Sequence, residues 1–170
     1  MPAPSPVALL SDDHIALMAR GVSVIAASRD ARNKPSIMRA VGSHVSADGT
    51  QITVYLSRPQ SHQLIQDVTA TGMLAVVFSE PSSHRSIQVK GVAAVIRDGT
   101  TSDQPILARY LASMEHELGR IGYPPIYAHA MLRHHPDDLV AISFTPSAAF
   151  DQTPGPKAGA ALPNLSGAIP

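Results

Sequence analysis

The sequence has no cysteine and no tryptophan, only 4 % aromatic residues, and no surplus of charge of either sign. The missing thiols exclude disulfides, thiolate nucleophiles and cysteine-ligated zinc or iron–sulfur centres. The 13 basic and 13 acidic side chains cancel, and no Lys/Arg run occurs, so the electrostatic footprint of a nucleic-acid binder is absent. No apolar stretch approaches the ~20 residues that span a bilayer. The opening, MPAPSP, has neither the basic nor the apolar region of a secretory signal. These absences predict a cytoplasmic protein with neither a nucleic acid nor a membrane as partner. What is there is 170 residues, 44 % of them hydrophobic, which suffices for one domain with a real core.

The stretch His84–Arg97, HRSIQVKGVAAVIR, organises the rest. Up to Gly91 it alternates, with Ile87 and Val89 on one face and Ser86, Gln88 and Lys90 on the other, the period of a half-buried strand. Beyond Gly91 both parities are apolar (Val92 to Ile96), which predicts cover on both sides. A strand glycine at such a changeover marks a bulge, a bend or a close backbone approach.

Before it, Ser11 reads as the N-cap of a helix over Asp12–Arg20, with Asp12 and Asp13 at its positive end. Val22–Ser28, Ser36–Ser46 and Thr50–Ser57 read as three meandering strands, the second with a bulge near Gly42. Asp48-Gly49 supplies the hairpin signal between the last two. Ser57 and Gln60 fit a capping box, with Pro59 in the first turn of a helix that ends at Gly72. Met73–Glu80 is a short apolar run, expected as a strand covered on both faces. After the organising strand, Thr101 or Ser102 caps a long helix over Asp103–Arg120 whose apolar stripe includes Leu107, Tyr110, Met114 and Leu118. Ile126–Arg133 is expected to add a helical turn or two. Leu139–Phe144 alternates as a final strand with Pro146 at its edge or end. The domain therefore spans residues 1–150. Residues 151–170 form a Pro/Gly/Ala-rich tail, expected either to stay mobile or to wrap a partner subunit. Mostly sequential strands with helices inserted predict a mainly β protein with α, an antiparallel barrel flanked by helices.

Chemistry concentrates at the strand-to-helix junction Ser57–His62. A helix start presents free N–H groups and partial positive charge, an anion site to which Ser57, Arg58, Ser61 and His62 add donors. A plain cap at Ser57 and a solvated Arg58 would explain the same residues. Arg39 interrupts an apolar strand, as a rim residue or an anion partner does. Gln88 and Lys90 put donors on one strand face, which could also be an ordinary wet face. His129, His134 and His135 near Asp137 and Asp138 match no metal-ligand spacing and read as solvated, so no metal is expected. No residue is an obvious general acid or base, and the catalytic residues stay unknown.

At Tyr55–His62 with Arg85–Gly91 the chain resembles the pyridoxamine 5′-phosphate oxidase-like family of FMN-binding split β-barrels. The likeness lies in Tyr55-Leu56-Ser57 running into R-P-Q-S-H, the apolar strand MLAVVF, and RSIQVKG, close to the family's R-x-x-Q-V-x-G. It covers roughly Val22–Arg97. The resemblance implies a homodimer with FMN between the subunits. Arg39, Tyr55, Leu56, Ser57, Arg58, Ser61 and His62 would then line the phosphate and ring edge, with Gln88 and Lys90 approaching the flavin from the same strand system. His62 stands where the family commonly has lysine or arginine. The tryptophan-containing C-terminal segment of the vitamin oxidase is missing, so turnover of pyridoxamine or pyridoxine 5′-phosphate is not expected. A flavin-dependent oxidoreductase acting on a small molecule, with a reductant such as NAD(P)H, is one reading. A cofactor carrier without turnover, for flavin, deazaflavin or haem, is the other.

Overall fold

The computed structural model describes residues 9–162. Seven strands form one antiparallel sheet: β1 (Ser23–Arg29), β2 (Pro35–Arg39), β3 (Gly42–Val45), β4 (Ile52–Ser57), β5 (Leu74–Ser79), β6 (Ser86–Asp98) and β7 (Leu139–Asp151), in the order β2-β1-β5-β6-β7-β4-β3. Helices α1 (Asp12–Ala19), α2 (His62–Thr71), α3 (Gln104–Arg120) and α4 (Ile126–Met131) pack around it. None of the described helices is long and apolar enough to cross a membrane.

The expected strand over Ser36–Ser46 is two strands. β2 pairs with β1 and β3 with β4, at opposite ends of the sheet order. Only Ala40 and Val41 separate them. The Ala40 N–H donates to Val24 O (2.9 Å) on β1, and the Val41 N–H donates to Tyr55 O (2.8 Å) on β4. The two sheet edges therefore meet at this seam, and the sheet curls into a split barrel with helices outside, the architecture the sequence implies. Alternate residues fill its interior: Val24, Ala26, Val54, Leu56, Val76, Phe78, Ile87, Val89 and Ile142 are all buried. Burying each such side chain contributes roughly 1.5–3 kcal/mol.

Several local signals fold as read. Ser11 caps α1, its Oγ accepting the His14 N–H, while His14 Nδ1 faces the Ser11 N–H in return. Asp48-Gly49 turns the β3–β4 hairpin, with Gly49 at φ 69° and the Asp48 carboxylate accepting from Ser46 and Thr50. Gly91 sits at a register shift of β6 against β7. A Cβ there would stand 2.3 Å from Phe144 Cδ2 and 2.9 Å from Thr145 O, so the close approach is real.

Other expectations change. Beyond Gly91, β6 is not covered on both sides: Val92 is 56 % exposed and Val95 65 %. A second register shift lies between Val92 and Val95, with Ala93 at φ 55°; Ala94 and Ile96 stay packed against the core while Val92 and Val95 face outward. β5 likewise buries Leu74, Val76 and Phe78 while Ala75, Val77 and Ser79 stay half-exposed. Neither Thr101 nor Ser102 caps α3: a Thr100/Asp103 capping box closes a 3-10 turn over Thr101–Asp103, and α3 follows with Asp103 at its N-cap. β7 continues through Pro146 to Asp151, because Pro146 falls opposite Gly91 at the register shift, where a missing N–H is tolerated. The start of the tail, 152–162, folds back on its own chain: the Asp151 N–H donates to Ala160 O (2.9 Å) and the Leu162 N–H to Ala149 O (2.8 Å). The remainder of the tail lies outside the described residues.

Candidate functional site

The sequence-predicted residues fall into two groups. The first surrounds the end of β4. Ser57 is its last residue, paired with Leu139 of β7, and its hydroxyl makes no cap bond. A 3-10 turn over Arg58–Gln60 follows, so the expected capping box does not form. Strand pairing holds the Ser57 backbone, and α2 starts later with Ser61 at its N-cap. Tyr55 and Leu56 are sealed. Leu56 points into the core. Tyr55 faces outward but lies under α3, where its hydroxyl donates to Asp103 Oδ1 (3.0 Å). Burial, with Asp103 alongside, pushes the Tyr55 phenol up to about 12. Asp103 also takes two 2.7 Å bonds from Arg97, which hold its carboxyl well below the ordinary carboxylate range. Neither Tyr55 nor Leu56 can offer its side chain to a cofactor.

Arg58 is also committed: its guanidinium pairs with Asp98 at the far end of β6. Nothing local signals this pairing, since Asp98-Gly99 reads as a turn. His62 is exposed on the first turn of α2. Ser61 Oγ is buried without a hydrogen-bond partner among the described residues, a state that costs about 1–3 kcal/mol. The first-turn amides and this orphan hydroxyl are donors that suit an added anion. Arg58 fits one less well, because a phosphate there would meet the Asp98 carboxylate. Arg39 stands beside the seam with Nη1 donating to Ser23 Oγ (2.8 Å) and the rest of its guanidinium on an exposed edge.

The second group lies on the outer face of the sheet. Strand register aligns Arg39, Ile25, Val77, Gln88 and Phe150 in one row across β2, β1, β5, β6 and β7. The neighbouring row is Ile37, Ala27, Ala75, Lys90 and Ala148. Small side chains on the second row leave a groove of about 410 Å³, bordered by Lys90, Arg29, Met73 and Val92. Lys90 Nζ sits 4.7 Å from the Phe150 ring centroid, a cation–π contact, and pairs with no carboxylate among the described residues. Arg29 escaped the sequence reading because it ends β1 and looks like part of the following polar turn.

These groups do not share one end of the protein. Ser57 pairs with Leu139, and Gln88 pairs with Phe150, eleven residues further along β7 (150 − 139). At ~3.3 Å per residue that is a strand contour of about 36 Å. Gln88 and Lys90 therefore occupy one end of the β6–β7 ribbon and Ser57–His62 the other, so Gln88 does not approach the junction from the same strand system.

No family model matches the sequence, and no curated protein matches it either. The fold does have counterparts among solved structures. HupZ of Group A Streptococcus is 14 % identical, with a TM-score of 0.53 over 88 % of this chain and 99 % of that one. A candidate pyridoxamine 5′-phosphate oxidase from Lactobacillus delbrueckii is 13 % identical, with a TM-score of 0.54 over 85 % and 96 %. An F420 reductase is 16 % identical, with a TM-score of 0.53 over 82 % and 98 %. At such identities the likeness is one of fold.

Proposed function

From the split-barrel fold that this chain shares with pyridoxamine 5′-phosphate oxidase-like proteins, we propose that it is a homodimeric FMN-binding flavoprotein. Its activity is that of an oxidoreductase drawing on a reductant such as NAD(P)H. The observation that supports this most is the division of the polar groups between the two ends of the β6–β7 ribbon. In such a dimer a two-fold axis brings the β4 end of one protomer to the Gln88 and Lys90 end of the other around a single mononucleotide. In this reading Arg39, Ser57, Ser61, His62 and the first amides of α2 hold the phosphate. Gln88 and Lys90 of the second protomer hold the polar edge of the ring. The exposed apolar residues Ile37, Val92 and Val95 become the surface between protomers and exclude water from the ring. When bound, the flavin supplies hydride and one-electron chemistry. Absence of turnover of pyridoxamine 5′-phosphate remains the expectation.

The test is a fluorescence titration with FMN and with riboflavin. Lys90→Ala should weaken both ligands by about tenfold or more, the scale of a hydrogen bond to a charged group. Arg39→Ala should weaken FMN alone, since riboflavin has no phosphate. Failure of the wild-type protein to bind either ligand would overturn the reading. The fold shared with an F420 reductase favours a second reading, a deazaflavin in place of FMN, and an absorbance scan of the purified protein separates the two. A haem spectrum in that scan would count against both.

A further inference from the structure

Outside the sheet, α3, α4 and the seam residue Val41 border a separate, open-sided cavity of about 330 Å³. Leu107, Leu111 and Leu132 form apolar walls, and the polar groups gather on its rim: Gln104, His129, Arg133 and His134. No carboxylate lines it.

The two imidazoles are each fixed through one ring nitrogen. His129 Nε2 meets Glu115 Oε1 at 2.5 Å; a carboxylate accepts, so Nε2 carries the proton. His134 Nδ1 lies 2.9 Å from Leu132 O; a carbonyl has no proton to give, so Nδ1 donates. Both rings are thereby oriented, and Nδ1 of His129 and Nε2 of His134 remain as the free nitrogens. No third His, Asp or Glu joins them in a metal-ligating group among the described residues. Arg133 enters none of the side-chain hydrogen bonds or ion pairs among the described residues. Its guanidinium is a permanent cation with a fork of donors shaped for a carboxylate.

Small-molecule sites run from about 300 to 1,000 Å³ and combine apolar walls with a few convergent polar groups. This cavity is at the small end, with room for a single ring; no carboxylate lines it, and the neighbouring Glu115 is taken up by His129. We propose that it binds a small single-ring carboxylate. The ring packs on Leu107, Leu111 and Leu132, the carboxylate takes the Arg133 fork, and the free imidazole nitrogens meet a ring hydroxyl. Nothing in this site depends on the flavin.

The experiment is a proton NMR titration of the full chain with 4-hydroxybenzoate, following the Cε1–H resonances of His129 and His134, with calorimetry for the affinity. Saturable shifts of both resonances are expected, with a Kd of roughly 1 mM or tighter. Arg133→Ala should weaken binding by about tenfold or more, and benzyl alcohol, which lacks the carboxylate, should bind correspondingly less. Ala108 lines the cavity at an exposed helix position, so Ala108→Phe should fill the space and abolish the shifts without disturbing the core. Absence of a saturable shift at millimolar ligand would overturn the proposal. So would equal affinity of the Arg133→Ala protein, or unchanged binding to Ala108→Phe.

Discussion

At the scale of single residues, Gly91 and Asp103 carry the clearest consequences. Gly91 has Phe144 and Thr145 where a side chain would go. Gly91→Val should therefore destabilise the protein by about 3 kcal/mol, the upper part of the range for overpacking. A denaturant midpoint measures this, and a wild-type midpoint would mean that the bulge rearranges freely. Asp103 is held ionised by Arg97 and bonded by the buried Tyr55 hydroxyl. A carboxyl lowered in the folded state stabilises the fold above its unfolded pKa, ~3.9, and loses that contribution as pH falls below it. The melting temperature should thus fall steeply below about pH 4, and Asp103→Asn should flatten part of that slope. The same change should cost about 1–3 kcal/mol at neutral pH, discounted because Arg97 is half-exposed. Arg58 is a contrasting case. Its bond to Asp98 implies that Arg58→Ala lowers FMN affinity less than about threefold, far less than a direct phosphate ligand would.

At the scale of elements, what the sequence showed was what neighbours in the chain decide among themselves. Ser11 with Asp12 and Asp13, and Asp48 with Gly49, form their cap and turn by local hydrogen bonds, so their signals survive folding. Ser11→Ala should accordingly cost ~1 kcal/mol, whereas Ser57→Ala should cost less, as that hydroxyl caps nothing; thermal melts of the two variants make the comparison. The Ser57/Gln60 pattern misled because pairing with Leu139 fixes the Ser57 backbone, and that partner lies far along the chain. The split of the second strand was hidden for the same reason: Ala40 turns toward β1 and Val41 toward β4. In β6 the unbroken apolar run predicted cover on both sides, but Val92 and Val95 are exposed, because the register shifts that set which residues face outward come from pairing with β7. Of the candidate site, Arg39, Gln88 and Lys90 were recognisable as polar intrusions on a strand face. Asp98 and Arg29 were not, because only tertiary pairing gives them a role.

At the scale of the whole molecule, the two groups of polar residues make the proposed dimer testable by complementation. A variant impaired at Gln88 and Lys90 and one impaired at Ser61 and His62 should each bind FMN poorly. Refolded together, they should recover binding, because a mixed dimer places the two intact halves in one site; no recovery would require each protomer to hold its cofactor alone. The seam at Ala40-Val41 has a different bearing. Everywhere else a strand's neighbour is held by a ladder of hydrogen bonds, but here the two sheet edges are tied by the chain itself. A protease cut between these two residues would part β2 from β3 and let the sheet's two edge strands separate, leaving their outer edges open. Such edges template pairing with other chains. The nicked protein should therefore be lost to precipitation rather than to simple unfolding, so the integrity of one peptide bond guards the solubility of the whole barrel.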